Sequence, residues 1–328
     1  MKKKRVLSGI QPSGKLHLGN LIGAVENWVR LQEKYECYFF IADLHALTSG
    51  YADTKEFRNN LHDVTVNLLS SGLDPEKAVI FRQSDLPEHS ELHLLFSMIT
   101  PISWLERVPT YKDKINELKD RDLYTYGFLG YPVLQAADIL IYKADLVPVG
   151  RDQLPHLELT REIARRFNHF YGPVFPEPKE DLTEVPVLPG LDGRKMSKTY
   201  GNTIDLCDSA ETVDKKVGQM VTDPARVKKD DPGHPDVCPV YAYHKIFNKD
   251  RVSQVARDCS GAKIGCVQCK KELAKVLNDY LVPIRKRRKE FIDKPGHIQK
   301  ILEDGAERAK KIARPTLAQA KKAMGITY

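Results

Sequence analysis

Apolar positions along the chain alternate between short blocks and longer periodic runs. Residues 5–8, the block Cys37-Tyr38-Phe39-Phe40-Ile41-Ala42 within residues 36–46, residues 78–82 and residues 146–149 read as strands. Between them, residues 21–35 carry Leu21, Ile22, Val25, Trp28, Val29 and Leu31 at helical spacing, and residues 54–71 and 128–142 also read as helices. Strands alternating with helices at this interval predict a Rossmann-like α/β fold, a doubly wound parallel sheet with helices on both faces. Binding residues are then expected at the carboxyl ends of the strands, where His17, His45 and Asp152 fall.

The rhythm changes further along. Residues 88–125 read as helical with breaks at Pro101 and Pro109, and residues 173–189 hold many prolines and read as an extended linker. Residues 271–294 form an amphipathic helix with Leu273, Val276, Leu277, Tyr280, Leu281 and Ile284 on one side, ended by Pro295-Gly296. Two more basic helices are expected after it, the last started by Pro315 and stopped near Gly325. The reading is a Rossmann-like domain over residues 1–190 and a helical domain over 191–328.

Charge sharpens that division. The total is +7, but residues 270–328 alone hold 16 Lys and Arg against 7 Asp and Glu, so the rest of the chain is slightly acidic. Arg285 to Lys289 is an unbroken basic run, which points to a polyanion at that end of the molecule. No apolar stretch approaches a membrane span, and the basic start is not followed by a signal-peptide core. A cytoplasmic protein is expected, with its six cysteines as thiols or metal ligands.

The chemistry begins in the first loop, Gly9-Ile10-Gln11-Pro12-Ser13-Gly14-Lys15-Leu16-His17-Leu18-Gly19-Asn20. A strand, a Gly-rich turn and a helix present backbone N–H groups and a positive helix end to phosphate. Leu16 stands where a P-loop needs Ser or Thr for magnesium, and no dinucleotide fingerprint is present. His17-Leu18-Gly19-Asn20 remains, with a glycine that admits a flat base and side chains that hydrogen-bond a polyphosphate. Far downstream, Lys195-Met196-Ser197-Lys198-Thr199 forms a second turn-rich loop, carrying with Arg194 a cluster of positive charge. It is either a solvated basic loop or one that closes over an anion.

Tyr131, Gln135 and Asp138 recur at spacings of four and three and share one helix face. An aromatic ring, an amide and a carboxylate so grouped either line a pocket for an aromatic ring with one polar hydrogen or form the polar edge of an amphipathic helix with a surface carboxylate. Gly150-Arg151-Asp152-Gln153 follows a strand and opens a helix, where Asp152 serves as a cap or as a ligand for ribose hydroxyls. Cys238, Cys259, Cys266 and Cys269, with one C-x-x-C, suit tetrahedral zinc or an iron–sulfur cluster. Cys37 and Cys207 are isolated and read as packing residues.

The pair His-x-Gly-Asn and Lys-Met-Ser-Lys-Thr resembles the two signatures of class I aminoacyl-tRNA synthetases. Gly9-Ile10-Gln11-Pro12-Ser13-Gly14, Tyr131 to Asp138, Val147 to Gln153, His156 to Arg161 and Pro189 to Arg194 resemble segments of the bacterial tryptophanyl-tRNA synthetases, in family order and over nearly the whole chain. The resemblance implies a ligase that joins L-tryptophan to tRNA(Trp) with ATP and Mg2+. It implies catalytic roles for His17, Asn20, Lys195 and Lys198, and ATP binding by these with Gln11, Pro12, Ser13, Gly19, Gly150, Arg151, Asp152, Met196, Ser197 and Thr199. Tryptophan binding falls to Leu7, His45, Tyr131, Gln135, Asp138, Val149 and Gln153. It further implies a [4Fe-4S] cluster on the four cysteines, with zinc as the alternative, an anticodon-reading helical domain, and a homodimer through residues 88–125. That connection leaves no room for an inserted editing domain, which fits a large amino acid that few smaller mimics can imitate. Two other readings stay open: a tyrosyl-tRNA synthetase, since Asp138 could equally accept a phenolic O–H, and an iron–sulfur RNA-binding protein without ligase activity.

Overall fold

In the computed structural model, all residues are described except 1–2, 110, 113–114, 116–121, 183–186, 229 and 327–328. Strands β1 (Arg5–Ile10), β2 (Glu36–Ile41), β3 (Ala78–Arg82), β4 (Leu146–Pro148) and β5 (Lys179–Asp181) form one parallel sheet in the order β3-β2-β1-β4-β5. The strand order reverses between β1 and β4, so the crevice for a ligand opens beyond the carboxyl ends of those two strands. The first-loop signature leaves β1, and Gly150-Arg151-Asp152-Gln153 leaves β4, so both line that crevice.

The first helical run α1 comprises Leu18–Asn20, a π-helical turn over Leu21–Val25 and Glu26–Leu31, one after the other. The wide turn lies directly after the signature, where such irregular turns often mark function. The block after β2 is not strand to its end: α2 (Asp43–Gly50) starts at Asp43, which puts His45 in its first turn. Helices α3 (Phe57–Ser70), α4 (Pro87–Ser97) and α5 (Ile102–Glu106) follow, and part of the expected helical connection beyond Pro109 lies outside the described residues. Helix α6 (Tyr126–Ile141) carries the Tyr131–Asp138 face and tolerates Pro132 within it, and α7 (Leu154–Tyr171) follows β4.

After β5 come α8 (Ala210–Gln219), α9 (Pro239–Phe247), α10 (Val252–Ser260), α11 (Cys266–Ile292) and α12 (Pro295–Ala323). Pro315 does not start a new helix, because α12 runs through it as one element. A proline costs a helix one hydrogen bond, and burial of Ala309, Ala313, Leu317 and Ala320 along the same helix offsets it. Helix α12 lies against the edge strand β3, where Gly305 comes so near that a Cβ on it would sit 1.8 Å from the Ile80 carbonyl oxygen. Arg308 Nη1 donates to the Pro75 and Ala78 carbonyls beside it, at 2.5 and 3.3 Å, so the edge is covered.

Among the described residues most of the buried apolar side chains form two clusters, one on each face of the sheet, with a small third around Leu123, Phe128 and Tyr131. One joins Val6, Phe39 and Ile80 to Leu206, Val213, Leu273 and Leu277, and the other joins Leu7, Phe81 and Val147 to Leu92, Ile163 and Ala309. Both run across residue 190.

The basic run on α11 is spent largely inside the protein. Arg285 Nε donates to the Asp208 carbonyl at 2.8 Å, Arg287 Nε to the Ser70 carbonyl at 2.6 Å, and Arg288 to Asn67 at 3.0 Å and Asp63 at 2.7 Å. Three of the five positive charges therefore dock α11 on its neighbours, and Lys286 and Lys289 are the exposed ones.

Candidate active site

His17 caps the start of α1 in a reciprocal box. Its Nδ1 accepts the Asn20 N–H at 3.3 Å, and its own N–H donates to Asn20 Oδ1 at 3.1 Å. With Nδ1 occupied as an acceptor, Nε2 is the nitrogen that carries hydrogen and can donate to a phosphate. Burial, and then the Lys198 ammonium, lower the His17 pKa to about 4, so the ring is neutral at pH 7.

The lysine loop lies on this turn. Lys198 Nζ is 3.2 Å from the Ser13 carbonyl oxygen and 3.5 Å from Ser13 Oγ, and the Gly19 N–H points at Met196 Sδ at 3.4 Å. Leu18 N–H donates to the Ile204 carbonyl and Leu206 N–H to the Leu16 carbonyl, both at 2.9 Å, which stitches the segment after the loop onto the first turn. Burial lowers the Lys198 pKa, so the ammonium gains when an anion arrives. Lys195 is exposed, and Thr199 beside Lys198 likewise.

Asn202 builds the loop, and nothing about its spacing pointed to that. It is buried at 3 % exposure and accepts the Ser197 N–H at 2.8 Å, while its Nδ2 donates to Asp192 Oδ1 at 2.7 Å and the Lys195 carbonyl at 3.2 Å. Gly190 makes room for it, since a Cβ there would lie 2.2 Å from Asn202 Nδ2.

Across the crevice, Asp152 and Arg151 are exposed at the turn after β4, and Gln153 Nε2 donates to Asp152 Oδ2 at 2.9 Å. Gln153 is thus turned toward Asp152. Leu7 and Val149 belong to the apolar cluster beneath, and the Tyr131 hydroxyl meets His156 Nε2 at 2.7 Å. His45 and Tyr131 face each other edge to face at 6.4 Å. Gln135 is half-buried, one turn before Asp138 on α6.

Asp138 is the most enclosed of these groups, at 1 % exposure, and it is far from bare. His45 Nε2 lies 2.9 Å from Oδ2, His89 Nδ1 lies 2.6 Å from Oδ1, and Gln83 Nε2 spans both oxygens at 2.8 and 2.9 Å. Burial works against its charge, but the hydrogen bonds from His45 and His89 outweigh that and hold the carboxyl below the usual carboxylate range. Gln83, His89 and Tyr142, whose hydroxyl meets His89 Nε2 at 2.8 Å, escaped the sequence reading. Only Tyr142, four residues after Asp138 on the same face, left a trace in the spacing.

The four cysteines gather without closing on a point. Cys238 precedes α9, Cys259 lies late in α10, and Cys266 and Cys269 share the first turn of α11. Burial pushes the Cys269 thiol up to about 12, and Cys238, Cys259 and Cys266 add to the rise, so the sulfurs sense one another. Among the described residues, however, no group of three or more His, Cys, Asp or Glu side chains is arranged to hold a metal ion. Cys269 Sγ instead meets His244 Nε2 at 3.5 Å and Cys259 Sγ meets Arg226 Nη1 at 3.9 Å. The expected ligand set is present as neighbours and not as a coordination sphere, with Cys259 and Cys269 each turned to a polar contact of its own.

The sequence model of the family described as "tRNA synthetases class I (W and Y)" matches residues 1–282. The chain is 51% identical over 327 residues to the tryptophan–tRNA ligase of Thermotoga maritima, covering 99% of this chain and all of that protein. It is 46% identical over 393 residues to the tryptophan–tRNA ligase of Aquifex aeolicus, covering 98% and 100%. The crystal structure of the tryptophanyl-tRNA synthetase from Campylobacter jejuni, complexed with ADP and tryptophan, superposes with a TM-score of 0.89 at 37% identity, covering 98% of this chain and 99% of that one. Sheet order, switch-point crevice and the joined signature loops agree with these similarities, and the chain belongs to the class I tryptophanyl-tRNA synthetases.

Proposed function

We infer that the protein is an ATP-dependent tryptophan–tRNA ligase, which activates L-tryptophan and transfers it to tRNA(Trp). The observation that carries this is the contact of the lysine loop with the first-loop signature at the switch point, through Lys198 and Ser13. In the first step a carboxylate oxygen of tryptophan attacks the α-phosphorus of ATP. A bond forms to phosphorus, the bond to the β-phosphate oxygen breaks, and pyrophosphate leaves with the electron pair. In the second, a hydroxyl of the terminal ribose of the tRNA attacks the activated carbonyl and AMP departs. Neither step needs a covalent protein intermediate, so placement and charge neutralisation do the catalysis.

The roles follow from the donors available. His17 Nε2 and Asn20 bind the phosphates on the α1 side, and Lys198, helped by Lys195 when the loop is loaded, neutralises charge building on the pyrophosphate. Gly19 leaves space for adenine, while Gln11, Pro12, Ser13, Met196, Ser197 and Thr199 frame the triphosphate. Gly150, Arg151 and Asp152 receive the ribose, and Gln153 turns from Asp152 to the ammonium of the amino acid. Leu7, His45, Tyr131, Gln135, Asp138 and Val149 enclose the indole ring, with Asp138 accepting its N–H. N–H, hydroxyl and ammonium donors line the phosphate side, which suits magnesium carried in on the ATP phosphates. When bound, that ion supplies further positive charge to the leaving group.

The functional division is a catalytic part over residues 1–190 and a lysine-loop and anticodon-reading part over 191–328, although their cores are continuous. For the cysteines we propose a [4Fe-4S] cluster, with zinc as the competing occupant, held by Cys238, Cys259, Cys266 and Cys269. Four half-buried thiols gathered around the starts of α9 and α11 and the end of α10 support it: burial, and then the neighbouring cysteines, raise the pKa of Cys259 and Cys269, and soft ions relieve that penalty by binding thiolates. Iron and sulfide assays with a visible absorption spectrum on anaerobically purified protein test it, and zinc alone would replace the cluster. A homodimer over the α4–α5 face is supported by Leu94, Met98 and Ile102, which stand exposed together on it. Sedimentation equilibrium tests that assembly. No helix among the described residues is long and apolar enough to cross a membrane.

The test of the activity is amino-acid-dependent ATP–pyrophosphate exchange with tryptophan, tyrosine and phenylalanine in parallel. Exchange with tryptophan alone is expected. Exchange with tyrosine would keep the chemistry and overturn the specificity, and none at all would overturn the ligase reading.

A further inference from the structure

Three side chains from three different elements converge on Asp138, and one of them has a partner of its own. His45 belongs to α2, Gln83 follows β3, and His89 belongs to α4, while Tyr142 ends the helix that carries Asp138. His89 and Tyr142 are both wholly buried, and the ring of Tyr142 is held by stacking on Tyr38 with centroids 4.9 Å apart. The line Tyr142 Oη to His89 Nε2, 2.8 Å, and His89 Nδ1 to Asp138 Oδ1, 2.6 Å, is short at both joints.

We propose that Tyr142 and His89 are positioning residues for indole recognition: the Tyr142 hydroxyl donates to His89 Nε2, which fixes Nδ1 as the donor to Asp138 and holds that carboxylate as a pure acceptor aimed at the amino-acid pocket. The inference rests on the reading that the protein activates tryptophan with Asp138 as the indole acceptor. A carboxylate offers about four lone-pair sites. His45, His89 and Gln83 take up three donors' worth, and Gln83 is shared between the oxygens, so one site is left for a ligand N–H. Burial pushes the Tyr142 pKa far upward, so its hydroxyl keeps the proton it must donate.

Without that hydroxyl, the hydrogen of His89 can move to Nε2, and Nδ1 then turns a lone pair toward Asp138 Oδ1. The carboxyl must rotate or pick up a proton, and either change spoils its acceptance of the indole N–H. An amino acid with no N–H at that place is indifferent to the loss. β-(Benzothiophen-3-yl)-L-alanine, with sulfur in place of the indole N–H, is therefore the discriminating substrate.

The experiment measures kcat/KM in pyrophosphate exchange for tryptophan and for this analogue, on wild type, Tyr142→Phe, His89→Leu, His89→Asn and Asp138→Ala. The preference for tryptophan is expected to fall about tenfold in Tyr142→Phe and His89→Leu, with the change in KM for tryptophan, because one buried donor is lost to the carboxylate. His89→Asn, whose amide nitrogen replaces Nδ1, is expected to recover part of the preference, which a loss of packing would not allow. Equal losses for both substrates, or an unchanged ratio in Tyr142→Phe and His89→Leu while Asp138→Ala lowers it, would overturn the proposal and leave Asp138 as the acceptor. An unchanged ratio in Asp138→Ala, which keeps no acceptor at all, would instead remove the acceptor reading beneath it, and the proposal with it.

Discussion

Lys198 Nζ lies 3.2 Å from the carbonyl oxygen of Ser13, across 185 positions of sequence. The ammonium waits against the first loop, at the place proposed above for the phosphates of ATP. Lys198→Ala is expected to slow single-turnover adenylate formation about a hundredfold or more. Tryptophan binding, followed by equilibrium dialysis without ATP, should stay unchanged.

Asn202 holds the loop that delivers Lys198, through the Ser197 N–H and the Lys195 carbonyl. Asn202→Ala leaves both groups without that partner and loosens the loop. Adenylation should fall about tenfold, as misplacement of a catalytic group does. The loss should appear in kcat, with KM for tryptophan little altered.

His17 gives a pH dependence with a definite sign. Its folded pKa is lowered to about 4 from 6.5, so between these values the unfolded chain binds the proton that the folded one refuses. Its contribution to stability is complete above about pH 6.5 and is lost as the pH falls toward about 4. Urea unfolding of His17→Asn should show a flatter profile through that window than wild type. Nitrogen-15 NMR should find the His17 proton on Nε2 at pH 7.

Gly305 lets α12 touch the backbone of β3, with the Ile80 carbonyl where a side chain would begin. Gly305→Ala forces helix and strand apart, at a cost of about 1–3 kcal/mol. Thermal unfolding would register it as a lower Tm, and Gly296→Ala, where a Cβ meets nothing within 4 Å, is the control.

The basic run on α11 separates into two jobs. Arg288→Ala should lower stability through its ion pair with Asp63 and its bond to Asn67. Lys286→Ala with Lys289→Ala should leave stability alone, weaken tRNA binding, and reduce the steepness of its salt dependence.

Periodicity was enough to specify the strand at residues 78–82, the first part of the one expected over 36–46, the helix bearing Tyr131 and Asp138, and the parallel α/β class, because backbone geometry writes its period into each segment. The signature loops were also legible, since phosphate needs glycine, imidazole and ammonium in short runs. Local pattern failed where distant segments compete for the same groups. Arg285, Arg287 and Arg288 looked like a surface for a polyanion until α11 packed on its neighbours and the backbone carbonyls and Asp63 claimed them. Pro315 looked like a helix start until burial of Ala313 and Leu317 carried α12 through it. The four cysteines lay close in sequence, but only the packing of α9, α10 and α11 set where their sulfurs point. The same holds for Asp138: the sequence supplied a carboxylate on a helix face, and the tertiary structure alone brought His45, Gln83 and His89 to it. A buried charge has to find its hydrogen-bond donors wherever the fold provides them, and in this chain they come from elements 93, 55 and 49 residues away.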